Sequence, residues 1–353
     1  MDTEAKGRDE KVDILKGIAI LLVVVGHLVQ YIFYPDNHSG KISFRLIYAV
    51  HMPLFMLLSG YVIGMKKQNI DMKWLKRRAK TLVVPFLSWI AIVWFIRCEW
   101  EKYTLLEYYK KILVDPEAGG LWFLIVLFLN CVGLFAAVGI SQVIQKLVKR
   151  KDDKLLVEQI SLIVSMGVVI LCICTWNSFV QILGSNLCEW YIRFYFLGVL
   201  LGKAQMIKKF EVMQGIGVMS WIFGIIYLFF ACFWQWGGEP VFRNQLETVI
   251  SSGIIIKGIV FAYRHLVPLA GIAYFICFVS KMQFKYTKRS LLCLGQLTIE
   301  IYLLQWYFLL DYTGNKWLDA VLSFGIIIII SYLCKKYISK TRFLGGVLFG
   351  KAK

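Results

Sequence analysis

The sequence predicts an all-α polytopic membrane protein of about ten transmembrane helices, with both termini cytoplasmic. Three observations predict it. Apolar runs near bilayer length recur from end to end, which makes the bilayer the solvent. Of the 353 residues 59% are hydrophobic and only 18% charged, with a mean hydropathy of +0.65, whereas a soluble chain of this length carries more charge and shorter apolar runs. Basic residues gather in alternate connections between the apolar runs. No hydrophilic stretch suffices for a separate soluble domain, so residues 1–353 read as one membrane-embedded domain with short cytoplasmic tails at 1–11 and 336–353.

The first apolar segment runs from about Val12 to Phe33. It is too long for a signal-peptide core, lacks a small-residue cleavage site and reads as a retained helix. Further spans fall near 43–65, 80–98, 121–140, 159–177, 189–203, 216–236, 263–281, 293–311 and 317–335. Thr248–Ala262 is apolar but interrupted by Ser251, Ser252, Gly253, Lys257 and Gly258. It reads either as a re-entrant or interfacial helix on the outer side or as an N-terminal extension of span eight. An extra full span would break the charge alternation.

That alternation sets the orientation. The connections at 66–80, 141–158, 203–215 and 281–290 and the C-terminal tail carry the lysines and arginines, among them Lys149, Arg150, Lys151 and Lys353. The connections between them are poor in base or carry acid, such as Glu99, Glu101, Glu107, Asp115 and Glu117. The formal net charge of +18 is thus a topological signal of a plasma-membrane protein of bacterial type and not evidence for nucleic acid. Nine cysteines lie mostly within apolar segments, an odd count that argues against a disulfide framework, and the Cys172–Cys174 pair lacks the second pair a zinc site needs.

Ionisable groups inside spans are costly and default to functional hypotheses. In the first helix these are Asp13, Lys16 and His27. Eleven residues separate Lys16 from His27, three turns and about 20°, so they share one face about 16 Å apart along the axis. Asp13 lies one turn below Lys16, within about 60° of that stripe. Lipid cannot solvate such a stripe, which predicts that it faces the bundle interior. His51 falls about 10–12 Å inside the outer end of the second span and His27 about 9 Å inside that of the first. The helices are joined by a short connection, so the two imidazoles sit at similar depth. A histidine in a membrane also serves as a packing group that donates to a carbonyl; the pair, with the stripe beneath one member, favours function. Pro53 and Gly60 read as a packing kink.

Glu300 lies mid-span and requires a proton or a cation, with Lys16 as candidate partner. Gln305, further out, faces the same cavity or bridges helices. Arg77, Arg78 and Lys80 crowd the cytoplasmic start of span three, as anchors or as an anion site for a phosphorylated donor. Trp122 occupies an aromatic-belt position and Arg193 one where snorkelling or substrate contact both fit. His38 and His265 receive no role, and no phosphate-binding loop or metal-ligand spacing is present.

These blocks resemble those of the membrane acyltransferase-3 family, especially the branch of fucose 4-O-acetylase and related sugar O-acetyltransferases. They are DILKGIAILLVVVGH at 13–27, HMPLFMLLSGYVIG at 51–64, RRAKTLVVPF at 77–86, LWFLIVLF at 121–128, RFYFLGVLLG at 193–202 and LGQLTIEIYLLQ at 294–305. The resemblance implies ten helices and transfer of an acyl group, usually acetyl, from cytoplasmic acetyl-CoA to a hydroxyl of a cell-surface or lipid-linked glycan, with no metal. It places the essential first-helix histidine on His27 and the basic residue eleven positions earlier on Lys16. The third-span basic pair falls on Arg78 and Lys80, while a second family arginine is displaced. The late motif, often ending in histidine, here ends in Gln305. His27 is then the base that takes the acceptor's proton, or a nucleophile that forms an acyl-imidazole. His51 orients it or holds the acceptor, and Lys16, Arg77, Arg78 and Lys80 attract the donor's phosphates. Asp13, Trp122, Arg193, Glu300 and Gln305 are cavity candidates. The alternative is a transporter or flippase for a glycan or small anionic solute, which visible repeats and broken spans would favour; neither is evident in the sequence.

Overall fold

The computed structural model describes residues 9–148, 154–311 and 313–351, and these residues contain helices and no strand. The first eight residues of the N-terminal tail, Lys149, Arg150, Lys151 and Lys353 lie outside the described residues.

Helix α1 (Glu10–Leu28) starts on Asp9, whose carboxylate accepts from the amides of Lys11 and Val12. It runs without a break into a π-helical turn, Val29–Phe33. The second apolar stretch is two helices, α2 (Ile42–Tyr48) and α3 (His51–Met65), with a turn at Ala49–Val50. Pro53 accounts for the break. It has no amide to donate and its ring crowds the carbonyl four residues earlier, so it sits in the first turn of α3. Helix α4 (Met72–Ile96) is capped by Asp71 and contains Pro85. After a short helical turn at Glu99–Glu101 comes α5 (Leu105–Val114), opened by a reciprocal Thr104–Glu107 capping box. Helices α6 (Trp122–Val148), α7 (Lys154–Asn177), α8 (Ser185–Lys203), α9 (Met206–Val212), α10 (Ile216–Ala231) and α11 (Arg243–Val249) follow.

Helix α12 (Gly253–Lys281) is continuous, so residues 253–262 are an N-terminal extension of span eight. The next expected span is interrupted: α13 (Lys285–Gln296) ends at Leu297, α14 (Thr298–Leu304) follows, and Gln305–Tyr307 closes as a 3₁₀ turn. The chain ends with α15 (Lys316–Leu333), a π-helical turn at Cys334–Ile338 and α16 (Arg342–Phe349).

Among the described residues seven helical stretches are long and apolar enough to cross a bilayer: Glu10–Phe33, Ile42–Met65, Met72–Ile96, Trp122–Val148, Leu155–Asn177, Gly253–Lys281 and Lys316–Ile338. The other three expected spans correspond to α8, to the 16-residue α10, and to the broken pair α13–α14. Many basic residues expected in connections are helical instead. Lys73, Lys76, Arg77, Arg78 and Lys80 all lie on α4.

The chain divides into two compact units, residues 1–65 with 198–332, and residues 66–197 with 333–353. In the first, α1 runs against α13 at backbone distance. A Cβ on Gly17 would strike the Leu291 carbonyl, and one on Gly295 the Asp13 carbonyl. Helix α3 meets the end of α8 the same way, where Gly198 and Gly202 lie against the carbonyls of Leu57 and Tyr61, the small-residue spacing that lets membrane helices touch. Helix α10 packs along α12, and the Tyr227 hydroxyl donates to the Leu46 carbonyl of α2. In the second unit, α16 docks on α4. The Trp89 indole donates to the Leu348 carbonyl at 2.8 Å, and Gly350 lies against the Thr81 carbonyl. Pro85, four residues beyond Thr81, has no amide to offer that carbonyl. Residues 342–349, counted with the C-terminal tail in the sequence reading, are therefore an ordered part of this unit.

Candidate functional site

The first unit brings together the polar residues of α1, α3 and the broken helix. His27 occupies the last turn of α1, directly before the π-helical turn. Such turns widen the backbone spiral and recur at functional sites. Here the turn carries Gln30 and Tyr31. The His27 ring lies 4.2 Å from the Trp306 ring and 6.1 Å from that of Tyr31, and Tyr31 meets Trp306 edge-on at 5.1 Å. Three polar atoms around this cluster are sealed from solvent without a hydrogen-bond partner: His27 Nδ1, Gln305 Oε1 and Trp306 Nε1. Gln305 itself is fully buried, while His27 is only half-buried.

His51 is in the first turn of α3 and buried. Its Nδ1 lies 2.8 Å from the Ile47 carbonyl. A carbonyl only accepts, so Nδ1 carries the proton and Nε2 is the acceptor nitrogen of the neutral ring. The Tyr48 ring meets His51 edge-on at 4.7 Å, and the Tyr48 hydroxyl donates to the Gln30 side chain of the π-helical turn. His27 and His51 lie close enough to act on each other electrostatically.

Deeper along α1, Asp13 and Lys16 pair at 3.7 Å, with Asp13 nearly buried and Lys16 a quarter exposed. Glu300 is fully buried on α14, which packs against α1. The 13–27 and 294–305 blocks, far apart in sequence, meet along α1 and α13.

The remaining sequence candidates belong to the second unit. On α4, Arg77 and Lys80 are exposed, whereas Arg78 is half-buried, lies over the Trp74 ring at 5.4 Å and acts electrostatically on the Cys131–Tyr195 pair. The basic cluster is therefore split between two faces of its helix. Trp122 stacks on Tyr191 at 5.3 Å with the rings 14° from parallel. Arg193 is engaged with Glu189: the ion pair is 3.6 Å and the guanidinium also donates to the Glu189 carbonyl at 2.9 Å. Asn177 donates to the same carboxylate at 2.7 Å, and the Cys174 thiol does so at 3.4 Å. Among the described residues no three His, Cys, Asp or Glu side chains cluster as metal ligands.

Sequence reading missed Trp306, Tyr31 and the Gln30–Tyr48 link. Tyr31 was legible as the residue four positions after His27, the same-face spacing of a helix. Trp306 was legible only as the neighbour of Gln305, because the 3₁₀ turn that presents it has no apolar period.

This is a helical protein with membrane-length spans and a buried histidine centre beside orphaned polar atoms. Residues 9–336 match the family model described as "Acyltransferase domain", and the chain belongs to this acyltransferase-3 family. Among curated proteins, the nodulation protein NolL of Mesorhizobium japonicum is 39% identical over 93 residues, 26% of this chain and 25% of that protein. The NolL of Sinorhizobium fredii is 40% identical over 92 residues, 25% of each chain. The similarity thus spans about a quarter of the length of these relatives. No solved structure matches.

Proposed function

We propose that this protein is a multi-pass membrane O-acyltransferase that moves an acetyl group from cytoplasmic acetyl-CoA to a hydroxyl of a cell-surface or lipid-linked glycan. The observation that carries the reading is the His27 centre: an imidazole beside a second histidine, at the end of the first span, in a chain of the acyltransferase family. A sugar hydroxyl is a poor nucleophile until a base takes its proton during attack. His27 takes that proton as the hydroxyl oxygen bonds to the thioester carbonyl carbon. The carbon–sulfur bond then breaks, and the leaving thiolate takes the proton back from His27. In the two-stage variant His27 itself attacks the thioester carbon and expels the CoA thiolate, and the acyl-imidazole then passes the group to the sugar oxygen, whose proton goes to the thiolate as the carbon–nitrogen bond breaks.

His51, with its tautomer set by Ile47, presents an acceptor nitrogen to the acceptor sugar or to the neighbouring ring. Lys16, held by Asp13, offers a cation on the side of α1 remote from His27 and suits the donor's phosphates. Arg77 and Lys80 serve as outer anion contacts on α4, and Arg78 as an inner one. Trp122, Glu300 and Gln305 shape the path of the substrates, and Arg193, a cavity candidate by sequence, serves instead to hold α8 in place through Glu189. Ten spans with cytoplasmic termini in a bacterial-type plasma membrane complete the proposal, with α8, α10 and the α13–α14 pair counted as the three shorter crossings.

The test is transfer of labelled acetyl from acetyl-CoA to surface glycan in membranes carrying wild type or His27→Ala. Transfer at the wild-type rate by His27→Ala overturns the assignment. One observation favours a transporter instead: the break between α13 and α14, since discontinuous helices line substrate paths in transporters. Vesicles that move glycan across the membrane without acetylating it would establish that reading.

A further inference from the structure

We infer that Gln305 is a positioning residue for His27: its Oε1 accepts the His27 Nδ1–H and so fixes the tautomer that leaves Nε2 free to act as base. The inference rests on the reading of His27 as the base and adds a role for a second residue.

The argument is one of hydrogen-bond accounting. His27 Nδ1 is sealed from solvent and has no partner of good geometry. Gln305 is fully buried, and its Nε2 donates to the Tyr302 carbonyl at 3.4 Å. In that orientation Oε1 is buried and without a partner. The Gln305 side chain lies in reach of the His27 ring, next in sequence to Trp306, whose ring is 4.2 Å from that of His27. One sealed donor and one sealed acceptor on adjacent side chains satisfy each other through a small rotation, whereas each left alone costs about 1–3 kcal/mol. Trp306 cannot take this part, because an indole N–H only donates. A Trp306 bond to an unprotonated Nδ1 would leave Gln305 Oε1 orphaned, as the Gln305 bond leaves Trp306 Nε1; what favours Gln305 is that its amide lies in hydrogen-bonding reach of the His27 ring as an acceptor.

The second histidine shows the same device in another form. The Ile47 carbonyl holds Nδ1 of His51. For His27 the equivalent acceptor comes from another element, the 3₁₀ turn that ends the broken span. The bond therefore ties the tautomer of His27 to the docking of the 294–305 block. The titratable groups that face the pair are His51 from α3 and Tyr31 on the π-helical turn.

Two variants in the acetyl-transfer assay decide it, with His27→Ala as the control on the base assignment. Gln305→Leu keeps the size and removes the acceptor; Gln305→Glu keeps an acceptor oxygen on the same stem. We expect kcat to fall on the order of 10- to 100-fold in Gln305→Leu, with KM for donor and acceptor unchanged, and to be largely restored in Gln305→Glu. A packing role predicts the reverse order, with Leu tolerated and Glu not. That order, or equal losses in both, or wild-type kcat in Gln305→Leu, overturns the inference. If Gln305→Leu does not accumulate in the membrane, Gln305→Met supplies the acceptor-poor arm. A His27→Ala protein at full rate sinks the base assignment itself; an inactive His27→Ala beside a fully active Gln305→Leu sinks only the positioning role.

Discussion

The environments of His27 and Arg193 are built from similar materials and reach opposite states. Both place an ionisable side chain among polar neighbours inside a helical unit. Around Arg193 the carboxylate of Glu189 is saturated: the guanidinium, the Asn177 amide and the Cys174 thiol all reach it. Around His27 three polar atoms, one on each of His27, Gln305 and Trp306, are sealed and unmatched. In a low-dielectric interior an unmatched polar atom is expensive, so it persists where something else makes it useful. The knot leaves Asn177 Oδ1 unmatched but none of its charges, and it reads as a fastener between α7 and α8; the cluster at His27 leaves the ionisable ring itself unmatched and reads as a place where a substrate or a moving proton completes the bonding.

The largest expected effect tests that contrast directly. His27→Ala should lower acetyl transfer by at least about 100-fold while the protein still extracts as a monodisperse species. Arg193→Ala should do the opposite, leaving kcat within about twofold and lowering thermal stability in detergent. Partial exposure of both partners keeps that loss to about 1–2 kcal/mol rather than the larger cost of breaking a fully buried pair. If Arg193→Ala abolishes transfer without touching stability, the contrast collapses.

Between these lies Gly295→Val. The added side chain meets the Asp13 backbone and must push α13 off α1, at a cost of about 1–3 kcal/mol or more. Because α13 leads into the turn that carries Gln305, activity should fall together with melting temperature. Wild-type melting would show that the two helices part more easily than their closeness suggests.

The smallest effect lies outside the spans. The Thr104 backbone amide, followed by its hydroxyl, holds the Glu107 carboxyl below its usual range. A depressed carboxyl contributes stability above its unfolded pKa and loses it as pH falls through the folded value. Thr104→Ala should therefore destabilise slightly at neutral pH, and the gap from wild type should narrow on acidification below the ordinary glutamate range. A gap that is constant with pH would remove Glu107 from the cap.

Much of this was legible in the sequence, because a bilayer punishes polar groups and so makes them conspicuous. Asp13, Lys16 and His27 announced a stripe on α1, and the stripe and its pairing with His51 appear in the structure. Six of the seven long spans were legible as apolar runs of bilayer length, and the seventh, Gly253–Lys281, was placed only from 263 onward because Lys257 and Gly258 interrupt its start. The break at Leu297 was not, since LGQLTIE holds no proline and its composition suits a continuous helix. Nor was the break at Ala49–Val50 placed, although Pro53 marked its neighbourhood. Trp306 escaped because tertiary placement alone sets it against His27.

The close seat of α1 against α13 also bears on how the protein is made. Helix α1 leaves the ribosome long before Gly295 and Gln305, which follow only after helices α2 to α12. The first helix must therefore enter the bilayer long before its final neighbour exists. Asp13 and Lys16 sit one turn apart on the same helix and neutralise each other there. They give the newborn helix a partner of its own during that wait, so a charge swap that separates them should first be felt as poor insertion and only later as lost activity.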